Sequence, residues 1–273
     1  MERSHCFRRS NAMNCKLDIG NWKFMKYFGI IPSRYGSSRF PGKPLAEIGG
    51  KTVIRRVYEQ ASKILDPVVV ATDDDRIYDA VEAFGGKVIM TRPDHKCGTD
   101  RCLEAYMKMT TPTWREQNDT DTVVINIQGD EPFIQPEQIE TLMRCFDNED
   151  TQIATPVRPF TDADSKADLE NVNTPKVNWD KTTGEAKMFS RKVIACADGT
   201  YYRHIGIYAF RADVLQEITK LPQSKLAIEE RLEQLRWLEN GYTIRVGVTD
   251  IQTIGIDTPE DLERAIEWYK YNG

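Results

Sequence analysis

An α/β fold, with a mostly parallel central sheet and helices on both faces, is what this sequence predicts, and three observations predict it. Short apolar runs at 27–31, 68–71 and 122–127 have the length of buried strands and lack the alternation of a half-exposed sheet. Helical stripes lie between runs, as where Val53, Ile54, Val57, Ala61 and Ile64 recur at a helical period. Small and polar residues follow the runs, which collects chemistry at the carboxyl ends of the strands, as in a Rossmann-like sheet.

The 273 residues suit one large domain or a domain with an inserted lobe, and 40% hydrophobic residues supply an ample core. Net charge is −5, from 37 Lys and Arg against 42 Asp and Glu, which argues against nucleic acid or a membrane surface as partner. Cations that bind phosphate must therefore be gathered locally. No stretch approaches the roughly 18 apolar residues of a membrane span. Six cysteines without a Cys-x-x-Cys pair read as reduced thiols of a cytoplasmic protein, and three histidines exclude a His-rich metal site. Residues 1–24 are polar and lack the apolar run of a secretory signal. They are expected to form a disordered extension, with 25–273 as the folded domain.

In chain order, the first strand is expected to end at Pro32, before a loop of Ser33, Gly36, Ser37 and Ser38 punctuated by Arg34, Arg39 and Lys43. Such a loop lets backbone N–H groups approach a polyanion while the cations wrap it, which suits a triphosphate. It matches neither a Walker loop nor the Gly-x-Gly-x-x-Gly fingerprint; the plain alternative is a basic surface loop. A helix is expected over 52–65, then the strand 68–71. The acidic run Thr72-Asp73-Asp74-Asp75 stands at a strand-to-helix junction, where N-capping outweighs metal binding, and a helix over 76–84 follows. After a short strand at 87–90, His95 and Cys97 lie in a loop. The strand 122–127 ends in Gln128-Gly129-Asp130-Glu131-Pro132. A carboxylate there suits Mg²⁺ bridging substrate phosphates, the alternative being a turn aspartate before proline.

A helix is expected over 135–146, and from 151 the texture changes. Strands at 153–160, 175–179, 186–191 and 201–210 read as antiparallel, a smaller lobe inserted over 151–210. A helix over 227–240 would turn Ile228, Leu232, Leu235 and Leu238 inward, with Gly241 at its C-cap. A strand over 242–248 leads to Asp257 and a last helix, with Thr258 as N-cap and Pro259 in its first turn.

The loop Arg34-x-Gly36-Ser37-x-Arg39-x-Pro41-Gly42-Lys43-Pro44-Leu45 resembles the signature of sugar-activating nucleotidyltransferases, and among them the CMP-Kdo synthetases (3-deoxy-manno-octulosonate cytidylyltransferases). The resemblance runs from about Met25 to the C-terminus through several motifs in the family's order. It implies a nucleotide-diphospho-sugar transferase type of fold and a cytoplasmic homodimer. The implied reaction transfers CMP from CTP to the keto-sugar acid Kdo, releasing pyrophosphate, for lipopolysaccharide biosynthesis. By resemblance Arg34, Ser38, Arg39 and Lys43 hold the triphosphate, with Arg34, Lys43 and Asp130 as the catalytic set. Thr72 and Asp73 help hold the cytosine, while Gly98 and Thr99 lie near the nucleotide, after a Cys97 that stands where the family has serine. Asp130 and Asp257 bind Mg²⁺. Gln128, Arg191, His204, Tyr208, Glu233 and Gln234 face the sugar, Arg191 clamping its carboxylate. The alternatives are a sialic acid activator with the same core, or a non-catalytic nucleotide-binding regulator. Both metal carboxylates and all three loop cations are present, which disfavours the regulator. The motifs around Gln128, His204 and Glu233 favour Kdo.

Overall fold

The first strand, β1 (Lys26–Ser33), is the axis of a parallel block in the computed structural model, which describes residues 25–37, 39–252 and 254–272. The extension over 1–24 and Ser38 lie outside the described residues. On one side β1 pairs in parallel with β4 (Val68–Thr72), and on the other with β6 (Thr122–Asn126). β5 (Val88–Met90) continues the block beyond β4. A short hairpin of β2 (Glu47–Ile48) and β3 (Lys51–Thr52) stands apart.

Pro32 does not end β1 as the sequence suggested; the strand runs through it to Ser33. Residues two apart face the same neighbour, and the Ile30 carbonyl already accepts from Ile127 at the end of β6. The donor that Pro32 lacks would point past that end, where none is needed.

Helices cover both faces. α1 (Val53–Ala61) is capped by Thr52, whose side chain accepts from the Arg55 N–H. α2 (Asp75–Ala83) is capped by Asp74, so the acidic run does what its position suggested. α3 (Gly98–Met109) and α4 (Pro112–Asn118) were not expected; α5 (Pro136–Cys145) was. Alternate residues of the strands feed two cores. Ile30, Val69, Ala71 and Val124 pack on Cys102, Ala105 and Tyr106 of α3. Ile31, Val68, Val70 and Val123 pack on α1 and α5. This two-sided burial is why the strands read as unbroken apolar runs.

The segment 151–210 joins the same sheet rather than standing apart. β11 (Tyr208–Arg211) pairs antiparallel with β6 and with β7 (Ile153–Pro159), and β12 (Ile244–Val248) pairs in parallel with β7. β9 (Glu185–Ser190), β8 (Lys176–Asp180) and β10 (Tyr202–His204) complete a sheet of ten strands, antiparallel at this end. The strand expected over 201–210 is interrupted between β10 and β11, where Ile207 N–H bonds back to the Ile205 carbonyl. α6 (Lys166–Glu170) and α7 (Ala212–Ile218) are additional.

The helix expected over 227–240 is also two, α8 (Lys225–Glu230) and α9 (Gln234–Glu239), broken at Arg231 with φ 53°. Ile228, expected inward, is 61% exposed because the break rotates α8 away from the face that buries Leu232 and Leu235. The last helix, α10 (Pro259–Asn272), docks on the β2–β3 hairpin through a third, smaller core of Ile48, Val53, Phe133, Ile256 and Ala265. No helix among the described residues is long and apolar enough to cross a membrane.

Trp237 of α9 is fully buried, its ring 5.2 Å from both Tyr208 and Phe210 in edge-on packing. Trp237→Ala should lower the unfolding free energy by about 3–5 kcal/mol, measured by urea denaturation.

Candidate active site

Two chambers open at the carboxyl ends of β1 and β6. The first, of about 290 Å³, is lined by Arg34, Arg39, Lys43, Cys97, Gly98 and Arg101. The second, of about 700 Å³, is lined by Arg191, Arg203, His204, Tyr208, Glu233 and Gln234. Arg39, Gln128, Asp130 and Asp257 border both, so the chambers meet there.

The loop after β1 folds back on itself. The Gly42 N–H donates to the Tyr35 carbonyl at 2.9 Å, and Gly42 takes φ 75°. A Cβ at this position would also come within 3.0 Å of the Tyr35 ring, so glycine is required twice over. That turn aims Lys43 at the junction. Its Nζ lies 2.5 Å from Asp130 Oδ2 and 3.3 Å from Asp257 Oδ1, and donates to the Ile256 carbonyl at 3.0 Å. Arg39 Nη2 reaches Asp257 Oδ1 at 3.0 Å. The backbone joins the two carboxylates independently, since the Ile256 N–H donates to the Asp130 carbonyl at 2.9 Å.

Asp130 and Asp257 thus face one cationic point with oxygen donors only. Among the described residues no three His, Cys, Asp or Glu groups converge on one centre, so a protein cage is not formed. One or two carboxylates, completed by phosphate oxygens and water, is the donor set that Mg²⁺ accepts. The residues fit that ion.

The start of α3 separates the chambers. Its amides and dipole favour an anion on the Gly98 side. Cys97 Sγ donates to Glu233 Oε1 at 3.0 Å, and Thr99 Oγ1 to Glu233 Oε2 at 2.9 Å. Arg236 Nη2 adds a bond to Oε1 at 2.8 Å. Burial, together with the Glu233 charge, pushes the Cys97 thiol well up, so it stays a protonated donor. Cysteine here supplies the hydrogen bond that a serine would. Burial also pushes the Glu233 carboxyl up, against the Cys97 and Thr99 hydrogen bonds and the Arg236 charge.

Three residues expected at the nucleotide line neither chamber. Thr72 is fully buried, its carbonyl accepting from the Thr91 N–H at 2.7 Å and hydroxyl at 2.9 Å. Asp73 is turned to Arg101 at 2.9 Å, and Thr99 to Glu233. Arg101, to which sequence reasoning gave no role of its own, lines the first chamber; its partner Asp73 is 28 residues distant, beyond the reach of a local motif.

In the second chamber Arg191 is braced by backbone. Nε donates to the Glu230 carbonyl at 2.6 Å, Nη1 to Val172 at 2.9 Å and Nη2 to Arg231 at 3.2 Å. One N–H on each Nη remains for a ligand. His204 Nε2 meets Thr155 Oγ1 at 2.8 Å, and burial lowers its pKa to about 3, so the ring is neutral. The Tyr208 hydroxyl, Gln234 Nε2 and Arg203 Nε are buried without a hydrogen-bond partner. Three orphaned polar groups in one chamber are what a polyhydroxylated ligand would answer. Arg158, which sequence reasoning missed, and Arg203, which opens the motif of His204, share Asp164 at 2.9 and 3.2 Å. Burial raises that carboxyl, but the Arg158 and Thr161 hydrogen bonds prevail and hold it at about 2.

A family model described as Cytidylyltransferase matches residues 28–246. The 3-deoxy-manno-octulosonate cytidylyltransferase of Bacteroides thetaiotaomicron is 58% identical over 256 residues, covering 90% of this chain and 99% of its own. That of Porphyromonas gingivalis is 50% identical over 254 residues, covering 89% and 96%. A solved CMP:2-keto-3-deoxy-manno-octonic acid synthetase complexed with CTP shares 41% identity at a TM-score of 0.81, covering 91% of this chain and all of that one. A cytidylyltransferase from Leptospira borgpetersenii, at 17% identity and a TM-score of 0.59, shares the fold. With the signature loop, the paired carboxylates and the two joined chambers in place, the chain belongs to the 3-deoxy-manno-octulosonate cytidylyltransferase family.

Proposed function

We propose that this chain transfers CMP from CTP to Kdo and releases pyrophosphate, in lipopolysaccharide biosynthesis. The observation that carries the reading is the junction of a cation-lined chamber and a larger polar one at Lys43, Asp130 and Asp257. Arg34, Arg39, Lys43 and the start of α3 neutralise a triphosphate in the first chamber. In the second, Arg191 offers its two remaining N–H groups to the sugar carboxylate, and Tyr208 and Gln234 meet hydroxyls. Gln128, at the border, orients the sugar acid toward the nucleotide. The anomeric hydroxyl of the sugar attacks the α-phosphorus in line; the new O–P bond forms as the bond to the β-phosphate oxygen breaks, pyrophosphate leaves, and the hydroxyl proton passes to water. Lys43 and Arg39 stabilise charge on the phosphates. Asp130 and Asp257 would hold Mg²⁺, which supplies charge neutralisation to the phosphates and lowers the pKa of a bound hydroxyl. Glu233, fixed by Cys97 and Thr99, gives the sugar chamber a rigid acceptor wall.

A cytoplasmic homodimer belongs to the same reading. Val172 and Val193, exposed at the antiparallel end of the sheet, are the apolar surface that a second copy would cover.

Purified protein with Mg²⁺ should release pyrophosphate only when CTP and Kdo are both present. Equal turnover with sialic acid would transfer the assignment to the sialic acid activators. Pyrophosphate release from CTP alone would end it.

Asp257→Asn separates metal ligand from helix neighbour. Asn keeps the shape and a hydrogen bond to Arg39, so the melting temperature should stay near wild type. Turnover should fall on the order of 100-fold, with partial recovery at high Mg²⁺. Near-normal turnover at low Mg²⁺ would leave Asp130 to act alone.

His204 gives a pH signature. The buried ring is neutral with a pKa of about 3, and unfolding exposes it to its ordinary value of about 6.5. The unfolded chain then binds the extra proton, so this stability is complete above pH 6.5 and is lost as pH falls. The slope from this one group is about 1.4 kcal/mol per pH unit. His204→Gln should remove it from the pH dependence of urea unfolding; an unchanged slope would place His204 in contact with solvent.

A further inference from the structure

Asp257 stands outside the strands and helices, so strand pairing does not fix it. Its side chain is 44% exposed, and its N–H is held by Asp261 Oδ2 at 3.0 Å, within the start of α10. The Ile256–Asp130 backbone bond holds the segment on one side of Asp257, and the docking of α10 holds it on the other. Ala265 is the fully buried residue of that docking, with Leu262 and Ile266 half-buried beside it. Aromatic rings anchor the far end. The Trp268 ring lies 4.5 Å from Phe133, and Tyr269 stacks on Phe133 at 6.5 Å with planes 17° apart. Phe133 is three residues beyond Asp130, so the rings tie α10 to the loop that carries the other carboxylate.

Tyr269 is held on its second side. Gly49, at φ 55°, makes a socket for the ring, since a Cβ there would come within 2.1 Å of it. The Arg56 guanidinium lies 4.1 Å from the ring centre and donates through Nε to the Ile48 carbonyl at 2.8 Å, which braces the socket. Three other members of this small core repeat the pattern. Phe40 follows Arg39, Ala46 closes the turn begun at Lys43, and Ile256 precedes Asp257. Each lies within three residues of a cation or carboxylate of the junction.

We propose that the Phe133–Trp268–Tyr269 seam, seated on Gly49, sets the position of Asp257 against Asp130. Tyr269 and Trp268 are then positioning residues for the divalent cation, acting from ~14 Å along the helix axis. The proposal rests on the reading of Asp130 and Asp257 as metal carboxylates.

The test measures Mn²⁺ binding, by the paramagnetic resonance signal of the free ion, to protein saturated with a non-hydrolysable CTP analogue. Tyr269→Ala should weaken Mn²⁺ binding about 10-fold and lower kcat at limiting Mg²⁺ to match, while KM for CTP stays within about twofold. Tyr269→Phe keeps the stack and should restore both. In an Asp257→Asn background, Tyr269→Ala should cost nothing further, because its effect runs through the residue already changed. Trp268→Leu, which leaves the Gly49 socket filled, should reproduce the Mn²⁺ effect should Tyr269→Ala fail to fold. Wild-type Mn²⁺ affinity in Tyr269→Ala or Trp268→Leu, or an equal loss with and without Asp257, overturns the proposal. Wild-type Mn²⁺ affinity in Asp257→Asn overturns the metal reading and the proposal with it. A loss in Asp257→Asn beside normal binding in Tyr269→Ala removes the seam alone.

Discussion

Two carboxylates that face one another in a partly buried cleft repel unless a cation stands between them. In this protein the cation is the Lys43 ammonium, 2.5 Å from Asp130 and 3.3 Å from Asp257. Much of the architecture serves that contact. β1 and β6 end side by side, which brings the loop carrying Lys43 against the loop carrying Asp130. The turn at Gly42 points the lysine inward, and the Ile256 backbone ties Asp257 to Asp130 whether or not the side chains are charged. Such a pair is weak evidence for stability, since desolvation offsets much of the Coulomb attraction. It is better understood as a preorganised charge site, with cations already aimed where phosphates would lie.

The parallel half of the fold was legible because its strands are buried on both faces and so read as unbroken apolar runs. Arg34 and Asp130 were conspicuous for a related reason: each follows such a run closely, and the position just past a buried strand is where a polar side chain has an opening to reach. Lys43, by contrast, lies further along the loop and is brought back by the turn at Gly42. The antiparallel half was less legible. Tyr202 to Arg211 alternates like a single strand, but the bend at 205–207 comes from a bond between neighbouring backbone groups that no side chain announces. The break at Arg231 is similar. A non-glycine residue at φ 53° is chosen by the packing on both sides of it, and propensity would have continued the helix. That break matters to the site, because it starts α9 at Gln234 and turns Glu233 toward Cys97 and Thr99.

What sequence motifs place least well is the difference between lining a chamber and supporting its wall. Thr72, Asp73 and Thr99 sit in motifs beside the first chamber, yet their polar groups bond to Thr91, Arg101 and Glu233. Arg101 faces the chamber because Asp73 stands behind it. Arg158 and Arg203 share Asp164 across separations of 6 and 39 residues, a constellation that exists only once β7 and β10 pair. A motif records that a position is constrained, and only packing tells whether the constraint is contact with ligand or with the residue that makes the contact.

The Cys97–Glu233 pair shows how far such a support can vary without changing the chemistry. A half-buried carboxylate fixed in a chamber wall is held by donors on both oxygens, since an unanswered acceptor costs up to about 1–3 kcal/mol where it is fully buried. Thr99 and Arg236 answer two of the positions, and the third requires only a protonated donor of short reach at the N-cap of α3. A hydroxyl meets that requirement. A thiol meets it when its pKa lies far above neutrality, and burial next to Glu233 ensures that it does. The same burial that makes Cys97 a poor nucleophile makes it an adequate cap and a steady partner for Glu233, so a change of element at this position leaves the wall between the two chambers intact.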